Sequence, residues 1–156
     1  MPPKTELQHH LEVAKWLKRK RAIMPIFRTD YAAGLKLTAG QAKNHSRMQS
    51  GPGYPDLFIP KPVGKYHGLF IELKKDRDAI LNKNGSMKAD LHIRKQLDVL
   101  MQLKELGYAA AFAVGHTQAK QVINDYLDGH NIFPQKYLLP EAPADLKLEP
   151  EEDLPF

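Results

Sequence analysis

Asp56, Glu72 and Lys74 are the residues of this chain whose types and spacing can do chemistry together. Each carboxylate stands in a short apolar run, Asp56-Leu57-Phe58-Ile59 or Leu69-Phe70-Ile71-Glu72-Leu73-Lys74, of the kind that forms strands. Alternation along the second run puts Leu69, Ile71 and Leu73 on one face and Phe70, Glu72 and Lys74 on the other. A strand this apolar is largely interior, and an ionised Glu or Lys buried alone is costly, so the two require each other, a metal or a ligand. Two hard carboxylates with a strand carbonyl, such as that of Leu73, can hold Mg²⁺. The ion acidifies bound water and neutralises charge on a phosphate, while Lys74 orients or deprotonates that water or stabilises the developing charge. The chemistry this combination suits is metal-dependent phosphodiester hydrolysis. The competing reading makes Asp56 a strand end and Glu72–Lys74 a solvated cross-strand ion pair.

Those side chains must be brought together by the segment between them. Pro60-Lys61-Pro62-Val63-Gly64-Lys65-Tyr66-His67-Gly68 is rich in prolines and glycines and suits a hairpin connection. Pairing Pro60 with Gly68 antiparallel sets Asp56 opposite Glu72, and a slip of one residue separates their faces.

The rest of the chain supplies the frame. Thr5 can cap a helix to about Arg21 with Leu7, Leu11, Ala14 and Leu17 as its inward stripe, and Pro25 bars its continuation. A first strand is expected over Ile26–Tyr31, followed by a basic loop over Gly34–Gly53 without a hydrophobic period. After a polar loop over Asp76–Ala89, Asp90 can cap a helix to about Leu106, ended by Gly107. Tyr108–Val114 fits a buried strand and Thr117–Leu127 a last helix, giving the order αβββαβα. This describes one domain over residues 1–133 with a Pro-rich, acidic extension over 134–156 that hugs the surface or is disordered.

Helices bring further candidates. Glu6, four residues before His10, borders the inward face of the first helix and can bind metal directly or through water; its bland role is a first-turn acid favoured by the helix dipole. Glu12 points roughly opposite. Gln96 lines up with Ile93, Leu100 and Leu103 and needs partners, either the nucleophilic water and site carboxylates or purely structural ones. Lys43, His45, Arg47 and Lys36 of the long loop, Lys75 and Arg77 after the strand, and Arg94 and Lys95 beside Gln96 can grip phosphates. They show no base-reading arrangement, so recognition of backbone shape or of a branched structure is expected. The histidines lack zinc-site spacing, and Trp16, Phe70 and Tyr108 read as packing residues.

Composition narrows the class. A chain of 156 residues, 42% hydrophobic, fits one modest core. The absence of cysteine excludes disulfides and thiolate zinc sites, and favours a reducing intracellular setting. No apolar run is long enough to span a bilayer, so a soluble protein without a membrane partner is expected. Residues 1–50 hold ten Lys or Arg against three acids, whereas residues 141–156 hold six acids against one Lys. The basic half fits a polyanionic partner.

Gly53-Tyr54-Pro55-Asp56-Leu57, Gly68-Leu69-Phe70-Ile71-Glu72-Leu73-Lys74, and Gln96 followed by Leu103–Gly107 together resemble the PD-(D/E)XK nuclease superfamily, and within it the virus-type replication-repair (VRR-NUC) family. The resemblance covers about Thr5 to Leu127. It implies a restriction-endonuclease-like α/β core with a mixed central sheet flanked by helices, and Mg²⁺- or Mn²⁺-dependent DNA cleavage. Asp56 and Glu72 are then ligands, Lys74 the catalytic lysine, Gln96 the helix glutamine, and Glu6 or Glu12 the acid of the first helix. Standalone phage and bacterial members look like homodimers that cut branched DNA such as Holliday junctions, which implies the cytoplasm of a bacterial or phage-infected cell. A two-fold pair also suits the two symmetric strands of a junction. Alternatives are a monomeric nickase or flap nuclease, and a catalytically silent DNA-binding module.

Overall fold

The computed structural model describes residues 2–29 and 36–139. Four strands form one mixed sheet in the order β1 (Arg28–Thr29), β2 (Leu57–Ile59), β3 (Leu69–Lys74), β4 (Ala109–Val114). The first three pair antiparallel, and β4 lies parallel to β3. The helices are α1 (Glu6–Arg19), α2 (Ala39–Arg47), α3 (Leu91–Glu105) and α4 (Gly115–Leu127), with a 3₁₀ turn at Arg77–Ala79. The parallel β3–β4 pair needs a long crossover, which α3 supplies.

The period-2 reading of β3 holds on both faces. Leu69, Ile71 and Leu73 enter a core built with Val13 and Leu17 of α1 and Ala119, Val122 and Ile123 of α4. Phe70 enters a second core with Ile93 and Leu100 of α3. Covered on both sides, β3 is buried at every position, and β4 accommodates this with a run of alanines around Phe112. Glu72 and Lys74 are therefore buried on the α3 side of the sheet. The hairpin register also stands: Leu57 pairs with Ile71, Phe58 with Phe70 and Ile59 with Leu69, so continuation by one residue sets Asp56 opposite Glu72.

Helix caps follow the sequence. Thr5 and Gln8 form a reciprocal capping box on α1, and Asp90 accepts from the His92 and Ile93 amides on α3.

Three expectations are corrected. The segment expected as an unstructured loop contains α2, which opens on a second capping box, Thr38 with Gln41; this T-x-x-Q signal outweighs the missing apolar stripe because the helix is surface-lying, with no buried residue. The order of elements is thus αβαββαβα. The buried face of α1 is His9, His10, Val13 and Leu17, whereas Leu11 is 56% exposed and Leu7 is also exposed. The helix is rotated from the all-aliphatic stripe because His9 and His10 find polar partners below it. Finally, the boundary at 134 falls inside packed structure: Tyr137 and Leu138 are buried, the Pro134 carbonyl accepts from Phe112, and the Leu138 carbonyl accepts from Arg77 at 2.8 Å. Residues 140–156, and the end of the strand expected over Ile26–Tyr31, lie outside the described residues. No helix among those described is long and apolar enough to cross a membrane.

Candidate active site

The C-terminal half of β3, the entry to β2 and the facing side of α3 enclose a cleft of about 610 Å³, with the first turn of α1 at its rim. Asp56, Glu72, Lys74, Gln96 and Glu6 all line it. Four of the five are almost wholly buried, with Glu72 only 2% exposed, and Glu6 is partly exposed.

Each side chain is fixed by its neighbours. Asp56 Oδ2 accepts the backbone amide of Leu73 at 2.8 Å, which ties the entry of β2 to the next strand beyond their regular ladder. Lys74 Nζ donates to Glu72 Oε1 at 2.8 Å, and Gln96 Nε2, projecting from α3, donates to the same oxygen. Glu72 Oε2 and the Gln96 carbonyl oxygen are buried with no hydrogen-bond partner among the described residues. An unsatisfied buried carboxylate oxygen is expensive, and one beside two further acids points to a ligand that accepts oxygen donors.

Electrostatics agree. Glu72 is pushed up to about 8, chiefly by burial and next by the neighbouring Asp56 charge, with the Lys74 ammonium and its hydrogen bond opposing. A cation placed against Oε2 offsets both causes. The donors that converge here are hard carboxylate oxygens, which fit Mg²⁺ or Mn²⁺. Among the described residues no cluster of three or more His, Asp or Glu side chains forms a ready-made metal cage. That is compatible with Mg²⁺, which keeps several of its waters and is bound through one or two carboxylates.

Gly53 lets these elements approach. Its φ is +94°, and a Cβ there would stand 2.9 Å from the Lys95 carbonyl oxygen, so the chain entering β2 runs against the α3 backbone at Lys95–Gln96.

The remaining sequence candidates divide. Glu12 lies at the surface, 3.4 Å from Lys4. Lys43 and Arg47 are exposed on α2, Arg94 and Lys95 on α3, and Lys36 ahead of α2. Lys75 is exposed and 3.6 Å from Asp76. Arg77 is exposed, and one of its guanidinium nitrogens donates to the Leu138 carbonyl.

Sequence reasoning gave no role to His10. It is buried, and its Nε2 stands 3.9 Å from Asp56 Oδ2. The available signal was its position one helical turn after Glu6. Nor did it foresee His9, whose Nδ1 is 2.9 Å from His116 Nδ1 across the α1–α4 contact; residues so far apart in the chain leave no local trace.

No protein-family model matches the chain, and no curated protein matches it. Among solved structures it is similar to one described as a VRR_NUC domain protein, at 27% identity and a TM-score of 0.57, over 84% of this chain and 94% of that one. The fold is therefore that of a VRR_NUC domain, a PD-(D/E)XK-like α/β arrangement.

Proposed function

From a VRR_NUC-like fold with buried carboxylates, a lysine and a glutamine in one cleft, we propose a metal-dependent, structure-specific endodeoxyribonuclease that acts on branched DNA such as Holliday junctions. The solved relative supports the broader reading, a nuclease of the PD-(D/E)XK type. The observation that supports the metal dependence is Glu72, with one oxygen committed to Lys74 and Gln96 and the other buried without a partner among the described residues.

In this reading Asp56, Glu72 and the Leu73 carbonyl hold Mg²⁺ or Mn²⁺, with Glu6 contributing directly or through water. When bound, the ion supplies an acidified water and charge neutralisation at the phosphate. The protein's part is positioning. The Leu73 amide fixes Asp56, and Gln96 fixes Glu72 from the opposite layer. Lys74, held against Glu72, presents an ammonium that orients the attacking water and stabilises charge on the phosphoryl oxygens. Lys43 and Arg47 of α2, with Lys75, Arg94 and Lys95, grip the backbone, which carries affinity and salt dependence without base sequence. Two symmetric strands of a junction call for two such sites, hence a homodimer. The setting is DNA replication, recombination or repair in a phage-infected or bacterial cell.

The test is incubation of the protein with labelled junction, flap, duplex and single-stranded DNA in Mg²⁺, Mn²⁺ or EDTA. Cleavage should require the metal and favour the junction. Lys74→Ala should bind DNA but lose at least about a hundredfold in rate. Cleavage in EDTA, or an undiminished Lys74→Ala variant, overturns the mechanism; preference for flap over junction overturns the substrate.

A further inference from the structure

A second hollow of about 520 Å³ meets the carboxylate cleft at Asp56, between α2, β1 and the entry to β2. Tyr54, Asp56 and His45 line both, so the two are adjacent compartments with Asp56 on their shared wall. Their linings differ. The cleft is a carboxylate and amine site, whereas the hollow is walled by Tyr54, Met48 and Phe58, with Arg28, Gln49 and Ser50 among them.

Its large apolar groups are displayed to solvent. Tyr54 is 51% exposed and Met48 79% exposed. The Tyr54 ring is held at right angles to Phe70, 5.7 Å between centroids, and Phe70 stacks on Phe58 at 4.3 Å, so the aromatic wall is braced from the core. Exposed aromatic and thioether groups beside a cation and amides make a surface for a flat, polar-edged ring. The volume lies within the range of about 300–1,000 Å³ seen for small-ligand pockets.

We propose that this hollow receives an unpaired nucleobase next to the scissile phosphate, and so selects DNA with an unstacked nucleotide at the cut. The inference rests on the nuclease reading above. A phosphate lying against the carboxylates places its neighbouring nucleotide at the shared wall, and in a continuous duplex that base is stacked and paired. At the branch point of a junction the pair has lost a stacking neighbour and opens at low cost, and at a bulge or flap the base is already unpaired, so in each it can turn out. Tyr54 and Met48 then stack on the base, and Arg28 and Gln49 meet its edge or flanking phosphate. Every base has a π-face, so such a hollow selects structure and tolerates sequence.

The experiment compares two substrates that differ in one position. One carries an unpaired nucleotide beside the mapped cut, and the other an abasic residue there. At limiting substrate the wild-type protein should cut the base-bearing DNA about tenfold faster, the scale of one stacked base. That ratio should fall toward one in Tyr54→Ala and in Met48→Ala, and persist in Tyr54→Phe. Met48 is exposed enough that its variant will fold. In Lys74→Ala protein, 2-aminopurine at the same position should be quenched on binding, and Tyr54→Ala should remove the quenching. Equal rates on both wild-type substrates, or a ratio indifferent to both alanine variants, overturn this inference while leaving the nuclease intact. A change of oligomeric state in Met48→Ala without a change of ratio also overturns it, in favour of a second copy of the chain. No cleavage of any DNA overturns the nuclease reading and this inference with it.

Discussion

Asp56 and Leu73 are joined by a 2.8 Å hydrogen bond in which the strand amide donates to the side-chain carboxylate. The same oxygen, Oδ2, lies 3.9 Å from His10 Nε2, so three elements, α1, β2 and β3, meet at one atom. Leu73 stands between Glu72 and Lys74, and the bond therefore sets Asp56 beside the residues that need it.

His10 is expected to position Asp56. His10→Ala should weaken Mn²⁺ binding by about tenfold, the lower end for residues supporting a ligand, with His10→Gln recovering most of it. Titration calorimetry of the DNA-free protein reads this directly. Unchanged affinity in His10→Ala would show that the Leu73 amide suffices.

Glu72 makes the metal-free protein lose stability as pH rises from about 4.5 toward 8. Its folded value, about 8, lies above the ordinary 4.5, so the native state holds a proton that the unfolded chain has released between those values. The associated stability is complete below about pH 4.5 and is lost as pH rises toward 8. Urea unfolding in EDTA should show a decline over that window on the order of a few kcal/mol, smaller in Glu72→Gln, and Mn²⁺ should reverse it. A Glu72→Gln profile parallel to wild type refutes the assignment.

His9 and His116 act in the other direction. Both are held below 6.5, first by burial and next by the Lys4 charge, and their rings stack at 5.1 Å across the contact between α1 and α4. The unfolded chain therefore takes up protons first, and the pair's contribution, present above pH 6.5, is lost as pH falls below it. A His116→Gln variant should show a flatter melting profile between pH 7 and 5. NMR titration of the two imidazoles checks the cause.

Gly53→Ala should be more damaging than its chemistry implies. The φ of +94° strains any L side chain, and the added carbon meets the Lys95 carbonyl oxygen at 2.9 Å. The cost is expected at about 1–3 kcal/mol by thermal melting. Because Lys95 adjoins Gln96, cleavage should fall further than the melting shift explains. Substitution of Gly51, around which a Cβ meets nothing within 4 Å, is the control and should be near neutral.

Much of the site was legible because its information is local. Alternation over Leu69–Lys74 placed Glu72 and Lys74 on one face, and the Pro60–Gly68 connection allowed the register, found in the sheet, that opposes Asp56 to Glu72. Capping residues Thr5 and Asp90 marked two helix starts, and Gln96 aligned with the buried Ile93 and Leu100. Short-range dihedral preference and side-chain period determine such features, and both are written in neighbouring residues.

Docking decided the rest. Two stripes on α1 had helical spacing, and only contact with α4 and Asp56 selected the one bearing His9 and His10 over the one bearing Leu7 and Leu11. α2 has no buried face, so no apolar period could announce it, and Tyr137 and Leu138 are core residues only because the chain folds back over β4 and Arg77. The sequence by itself determined which side chains share a strand face, while the hairpin register was one choice among those the turn allows and was selected by the strand pairing. The tertiary structure alone decided that Glu72 keeps one oxygen without a partner among the described residues, because burial and pairing depend on what the opposite layer brings, and α3 brings a single amide donor, Gln96, to the other oxygen.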